Sequence, residues 1–148
     1  MPYSHPLQNN EFMLITSVTR KREPFFSDPS IAREAIEALY RVKRLHPFSL
    51  YGFVIMPDHC HFLMYVAWPQ TISRIMNSYK SGLTFDTGIQ PMWQRGFHIQ
   101  VTKDVPVALE YIHQNPVKAK IVETPDKYPW SSASGEWPLL AAPTEGHG

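Results

Sequence analysis

The sequence predicts an α+β fold in which an antiparallel sheet carries helices packed mainly on one face. Two observations carry this. Runs rich in β-branched and aromatic residues alternate with stretches of helical spacing, in the order strand, helix, strand, strand, helix, strand, helix. The run Tyr51–Val66 is apolar for most of its length and is broken only at Pro57-Asp58, so it reads as a buried strand pair. That order suits a ferredoxin-like split βαβ arrangement, with the strand after Asp58 in a central position.

Each element has its own signal. Phe12–Thr19 is the first strand, and Arg20–Pro29 is a loop with two prolines and the pair Phe25-Phe26. Ser30 is placed to cap a helix through His46, whose apolar positions Ile31, Ala35, Ile36, Leu39 and Val42 recur at helical spacing. Pro47 ends it, and Phe48–Met56 is the second strand. Pro57-Asp58 is turn chemistry or a strand break, so His59–Val66 either folds back on the second strand or continues it. Pro69 opens a second helix with Ile72, Ile75, Met76 and Tyr79 on one face, and Gly82–Pro91 reads as loop. Gly96–Thr102 is the fourth strand. Asp104 caps a third helix that is expected to end at Asn115, because Pro116 disfavours helical geometry in the residue before it. Residues 1–137 then form one domain, and 138–148 form a tail with little to bury.

The totals narrow the function. A chain of 148 residues with 43% hydrophobic content can bury a core as one domain. No apolar run reaches the roughly 18 residues of a membrane-spanning helix, and the first residues lack the pattern of a secretion signal. One cysteine cannot form an internal disulfide, which fits a cytoplasmic location. The net charge of +1 excludes a strongly basic nucleic-acid binder, yet the cations cluster at Arg20-Lys21-Arg22, at Arg41, Lys43 and Arg44, and at Lys118 and Lys120.

His59-Cys60-His61 is the most informative triplet. On a strand, residues i and i+2 share a face, so the two imidazoles project side by side while Cys60 points into the opposite layer. Such a pair is half of a divalent-metal site, or simply two packed histidines. Further on, Tyr111 and Asn115 stand four residues apart on one helix face, while His113 points elsewhere. An amide oxygen can complete a site begun by two histidines, and a phenol one turn away can reach a phosphate bound there. Either residue could equally be an ordinary helix position.

Four strings occur in order: Met56-Pro-Asp-His-Cys-His-Phe-Leu63, Met92-Trp-Gln-Arg-Gly-Phe97, Tyr111-Ile-His-Gln-Asn-Pro-Val-Lys-Ala119 and Tyr128-Pro-Trp-Ser-Ser132. Together they resemble the REP-associated tyrosine transposases, domesticated relatives of small single-tyrosine transposases with a His-hydrophobic-His motif. The resemblance runs from about Phe12 to Trp137. It implies a metal-dependent enzyme that nicks and joins single-stranded or hairpin DNA from repeats. By position it implies Tyr111 as the nucleophile forming a 5′-phosphotyrosine, with His59, His61 and Asn115 holding Mg²⁺ or Mn²⁺. Transposases of the wider family often work as dimers and the REP-associated branch as monomers, so the resemblance implies a monomer or a homodimer.

A phenol with a pKa of about 10 is only about one part in a thousand ionised at neutral pH, so it needs a base, a cation or a polarised target. Tyr79, beside Lys80, is the rival nucleophile, but position 83 is Leu where the Tyr111 pattern has an amide. Arg20, Arg95 and Trp93 are the candidate substrate contacts, and Phe25, Phe26 and Trp130 are further aromatics that could stack on bases or fill the core. Three readings compete with the nicking enzyme. One is a catalytically inactive nucleic-acid-binding domain derived from it. Another is a histidine-triad hydrolase, which would need a third alternate histidine where Leu63 stands. The last is a structural metal site, which usually takes four protein ligands.

Overall fold

Alternation along the first strand divides the core in two. In the computed structural model, which describes residues 7–139, β1 (Phe12–Val18) turns Met13 and Ile15 to one layer and Leu14 to the other. The chain continues through α1 (Pro29–Leu45), β2 (Ser49–Met56), β3 (His59–Tyr65), α2 (Ile72–Thr87), β4 (His98–Val101) and α3 (Val105–Lys118). The strands form one antiparallel sheet in the order β2-β3-β1-β4, the ferredoxin-like topology. Pro57-Asp58 is a turn, so β3 folds back on β2 and lies in the middle of the sheet.

α1 and α2 cover one face, over Phe53, Ile55, Cys60, Phe62 and Met64. Cys60 packs there, fully buried, and burial pushes its thiol up to about 12. α3 lies on the opposite face, where Val105, Ala108 and Ile112 meet Val54, Met56 and Leu63. The two layers leave α3 free to address the face that carries the alternate residues of β3. Among the described residues, no helix is long and apolar enough to cross a membrane.

Helix ends differ from the sequence reading at four places, each for a local reason. Asp28, not Ser30, caps α1: its carboxylate accepts from the Ser30 N–H at 2.9 Å and from the Ser30 hydroxyl at 2.8 Å, with Pro29 in the first turn. α2 starts after Thr71, whose hydroxyl accepts from Arg74 N–H, and it runs through Gly82 to Thr87 instead of ending before that glycine. A mid-helix glycine costs about 1 kcal/mol relative to alanine, and here Leu83, fully buried one residue later, offsets it. The stop falls at Gly88, whose φ of 71° suits a residue without Cβ. α3 continues through Pro116 to Lys118, since Pro116 is buried and the Asn115 carbonyl still receives Ala119 N–H at 3.0 Å.

Tyr128–Ser132 covers the outer edge of β2, which would otherwise be open to further pairing. Ile55 N–H donates to the Trp130 carbonyl at 2.8 Å, the Tyr128 hydroxyl donates to the Ile55 carbonyl at 2.7 Å, and Phe53 N–H donates to the Ser132 hydroxyl at 3.0 Å. Beyond it, the Pro138 carbonyl accepts from the Tyr40 hydroxyl at 2.6 Å. The rest of the expected tail, 140–148, lies outside the described residues.

Gly52 lets α3 sit close. A Cβ added there would stand 2.3 Å from Leu109 Cδ1 and 3.3 Å from the Ser132 hydroxyl. Gly52→Ala is therefore expected to destabilise the protein by about 1–3 kcal/mol, the usual cost of overpacking. Denaturant unfolding checks this, and a double-mutant cycle with Leu109→Ala should return a favourable coupling, because the smaller side chain removes the clash.

Candidate functional site

His59 and His61 project from β3 toward the α3 face, along with Leu63. Their ring centroids lie 5.0 Å apart, at an interplanar angle of 78°. Each has its Nδ1 occupied. His59 Nδ1 is 2.7 Å from Asp58 Oδ1, and His61 Nδ1 is 2.8 Å from the Thr16 hydroxyl on β1. In both rings Nε2 is then the nitrogen open to an outside partner, the arrangement by which outer groups orient metal-binding histidines. His61 is only 5% exposed, and its pKa is lowered to about 4, first by burial and then by the neighbouring His59. Its imidazole is neutral at physiological pH, the form that binds metal.

Asp58 bridges two groups. Its second oxygen, Oδ2, accepts from Arg22 Nη1 at 2.9 Å. Burial alone would raise its carboxyl pKa, but the bonds to His59 and Arg22 outweigh that and hold it below the ordinary value. The Asp58 carbonyl also receives Thr19 N–H at 2.9 Å and the Thr19 hydroxyl at 3.1 Å, which fastens the basic turn Arg20–Arg22 beside the histidines.

From the other layer, α3 brings Tyr111 over His61, with ring centroids 5.6 Å apart at 68°. The phenol is 45% exposed, and Lys118 Nζ stands 5.7 Å from its ring centroid. Asn115, one turn along the same helix, is half-buried, and its amide makes no hydrogen bond to another described residue. Among the described residues, no three His, Cys, Asp or Glu side chains converge on a point that could hold a metal. A cation here therefore depends on the two imidazoles plus a donor of another kind, which the Asn115 amide oxygen can supply. Two imidazole nitrogens with an oxygen donor fit a divalent cation with open positions. Tyr79 is placed quite differently: it is fully buried, its hydroxyl donates to the Ala35 carbonyl at 3.0 Å, and burial raises its pKa well above the usual phenol value.

Of the other predicted contacts, Arg20 and Trp93 lie at the same end of the sheet, but Trp93 packs in the α1/α2 layer, on the face opposite the histidines. Trp93 pairs with Thr19, and Arg20 N–H donates to the Met92 carbonyl at 2.9 Å. Trp93 is half-buried against Phe26, Tyr79 and the Lys80 ammonium. It forms part of a cleft of about 680 Å³ between α2 and the segment before β4, lined also by Arg95, Asn77, Gln94 and Phe85. Phe26 is fully packed, and Phe25 and Trp130 also pack against the core.

Several residues escaped the sequence reading. Asp58 and Thr16 act on the histidines through contacts that need the strand register. Phe85, 85% exposed at the cleft, was hidden because its segment read as loop. His98 pairs with Thr16, which pairs with His61, so all three share one row and one sheet face. His113 is half-buried, with Nε2 2.8 Å from the Ser132 hydroxyl.

Comparison with known proteins places the chain in a family. The family described as "Transposase IS200 like" matches residues 12–115. The REP-associated tyrosine transposase of Escherichia coli (strain K12) is 30% identical over 111 residues, which is 69% of this chain and 67% of that protein. A solved REP-associated tyrosine transposase, bound to a REP hairpin, superposes with a TM-score of 0.77 at 24% identity, covering 96% of this chain and 91% of its own. With the four ordered motifs on one fold, and with the family matched across its histidine and tyrosine strings, the chain belongs to the IS200-like transposase family and is a relative of its REP-associated tyrosine transposases.

Proposed function

We infer that this protein nicks and rejoins single-stranded or hairpin-forming repeat DNA through a 5′-phosphotyrosine on Tyr111. The observation that carries this reading is the exposed Tyr111 phenol lying edge-on to His61, with His59 alongside and both Nδ1 atoms already engaged. In this reading a nucleophile and a phosphate-polarising site come together from two layers of the fold. The hairpin-bound relative supports the choice of substrate.

In this reading His59, His61 and Asn115 hold Mg²⁺ or Mn²⁺. The chemistry such a cation supplies is polarisation of the scissile phosphate and neutralisation of charge that builds on it. The Tyr111 oxygen attacks phosphorus in line with the leaving group. The phenolic proton passes to water, the P–O3′ bond breaks, and the 3′-oxygen leaves as a hydroxyl after taking a proton. Rejoining is the reverse displacement by a 3′-hydroxyl, and it needs no nucleotide cofactor because the phosphodiester energy is retained in the tyrosyl ester. Lys118 adds positive charge near the developing phenolate. Arg20 contacts backbone phosphate, while Arg95 and Trp93 hold the strand at the cleft.

The test is incubation of the purified protein with Mn²⁺ and labelled hairpin oligonucleotides from repeats flanking its own gene, followed by denaturing electrophoresis. A metal-dependent covalent band supports the reading. A gel shift without any covalent band would favour an inactive DNA-binding descendant instead. For the strand contact, Arg95→Ala is expected to weaken oligonucleotide binding and to reduce the salt-dependence slope by about one unit. An unchanged isotherm across a salt series would remove Arg95 from the interface.

A further inference from the structure

We propose that Asp58 is the positioning residue for His59: its carboxylate fixes the imidazole as the Nδ1–H tautomer and thereby presents Nε2 to the metal, while Arg22 holds the carboxylate in place. This rests on the metal-dependent reading above and adds a residue that the histidine-tyrosine pattern does not include. The two histidines are supported unequally. His61 is buried and set against a neutral hydroxyl, so its ring is held by packing as well as by Thr16. His59 is less enclosed and has the carboxylate, 2.7 Å away, as the hydrogen-bonding partner of its ring. A ring held by one bond takes its orientation from that bond, and a carboxylate acceptor increases the basicity of the opposite nitrogen.

Asp58 can do this because it is itself anchored at three points. Its Oδ2 accepts from Arg22 at 2.9 Å, and its carbonyl is bound by the N–H and hydroxyl of Thr19. The adjoining Pro57 carbonyl receives Phe26 N–H at 3.0 Å. The tight turn between β2 and β3 thus has a second use, since it places a carboxylate next to the first residue of β3.

The experiment compares wild type, Asp58→Asn, Asp58→Ala and His59→Ala by two readouts. Mn²⁺ affinity is measured by titration without DNA, and the His59 ring tautomer is read from ¹⁵N chemical shifts in metal-free protein. In wild type, His59 should show a protonated Nδ1. Asp58→Ala should mix the tautomers of His59 but not those of His61, and should weaken Mn²⁺ binding by about 10–100-fold, the usual effect of losing an outer partner. Asp58→Asn keeps an acceptor oxygen without the charge, so it should preserve the tautomer and lose part of the affinity. The backbone anchors of the turn survive both substitutions, and circular dichroism confirms folding. Unchanged tautomer and Mn²⁺ affinity in Asp58→Ala, with affinity lost in His59→Ala, would overturn the role of Asp58 alone. No Mn²⁺ uptake by wild type would overturn the metal reading as well.

Discussion

Tyr111→Phe should abolish the covalent protein–DNA adduct and leave the rest of the protein as it was. The substitution removes one hydroxyl from a side chain that is 45% exposed and whose hydroxyl has no hydrogen-bond partner among the described residues. Surface changes of this kind usually alter stability by no more than about 0.5 kcal/mol. The aromatic contact with His61 is kept by phenylalanine, so Mn²⁺ affinity and hairpin binding should also persist. Cleavage, in contrast, should fall by a factor on the order of 10⁴–10⁶, the scale of losing a covalent nucleophile. Tyr79→Phe is the control. Its hydroxyl is buried and bonded to Ala35, so its removal should cost about 1 kcal/mol of stability and leave the adduct intact. An adduct that survives in Tyr111→Phe would rule out this nucleophile.

Replacing either histidine with alanine should remove metal uptake and cleavage together, but the two variants should differ in stability. Loss of a direct ligand exceeds the 10–100-fold effect of losing an outer partner, so Mn²⁺ binding should drop below detection in both. His61 fills a buried position and holds the Thr16 hydroxyl, so His61→Ala leaves a cavity and a stranded polar group, and a cost of about 2–4 kcal/mol follows. His59 is more open to solvent, and His59→Ala should be milder. His59→Ala is therefore the cleaner probe of function. Calorimetric melting separates the two effects, and hairpin binding retained in folded His59→Ala would show that capture and chemistry use different contacts. Retained Mn²⁺ affinity in both variants would dismiss the pair as a metal site.

Much of the fold, and which of these residues share a face, is legible in the sequence. Alternation in β1 and β3 set which residues share a face, so the side-by-side projection of His59 and His61, and the burial of Cys60 on the other side, could be read directly. The pairing of Tyr111 with Asn115 on one helix face followed from the 3.6-residue period. The errors have equally local causes. Gly82 and Pro116 read as breakers, yet burial of Leu83 and of Pro116 itself outweighed their intrinsic preference. Ser30 is a good capping residue two positions too late, already inside the helix, and Asp28 before Pro29 took the role.

By itself the sequence determined the strand and helix order, the family, and the identity of the chemically capable side chains, because these depend on residues near one another along the chain. Tertiary structure alone decided the rest. It placed α3 on the face opposite α1 and α2, with Gly52 permitting the close approach. It brought Tyr111 to His61 across 50 residues, and it set Thr16 and Asp58 against the two Nδ1 atoms. Those contacts depend on strand register and on the packing of one layer against another, and neither has a period that a linear sequence can display.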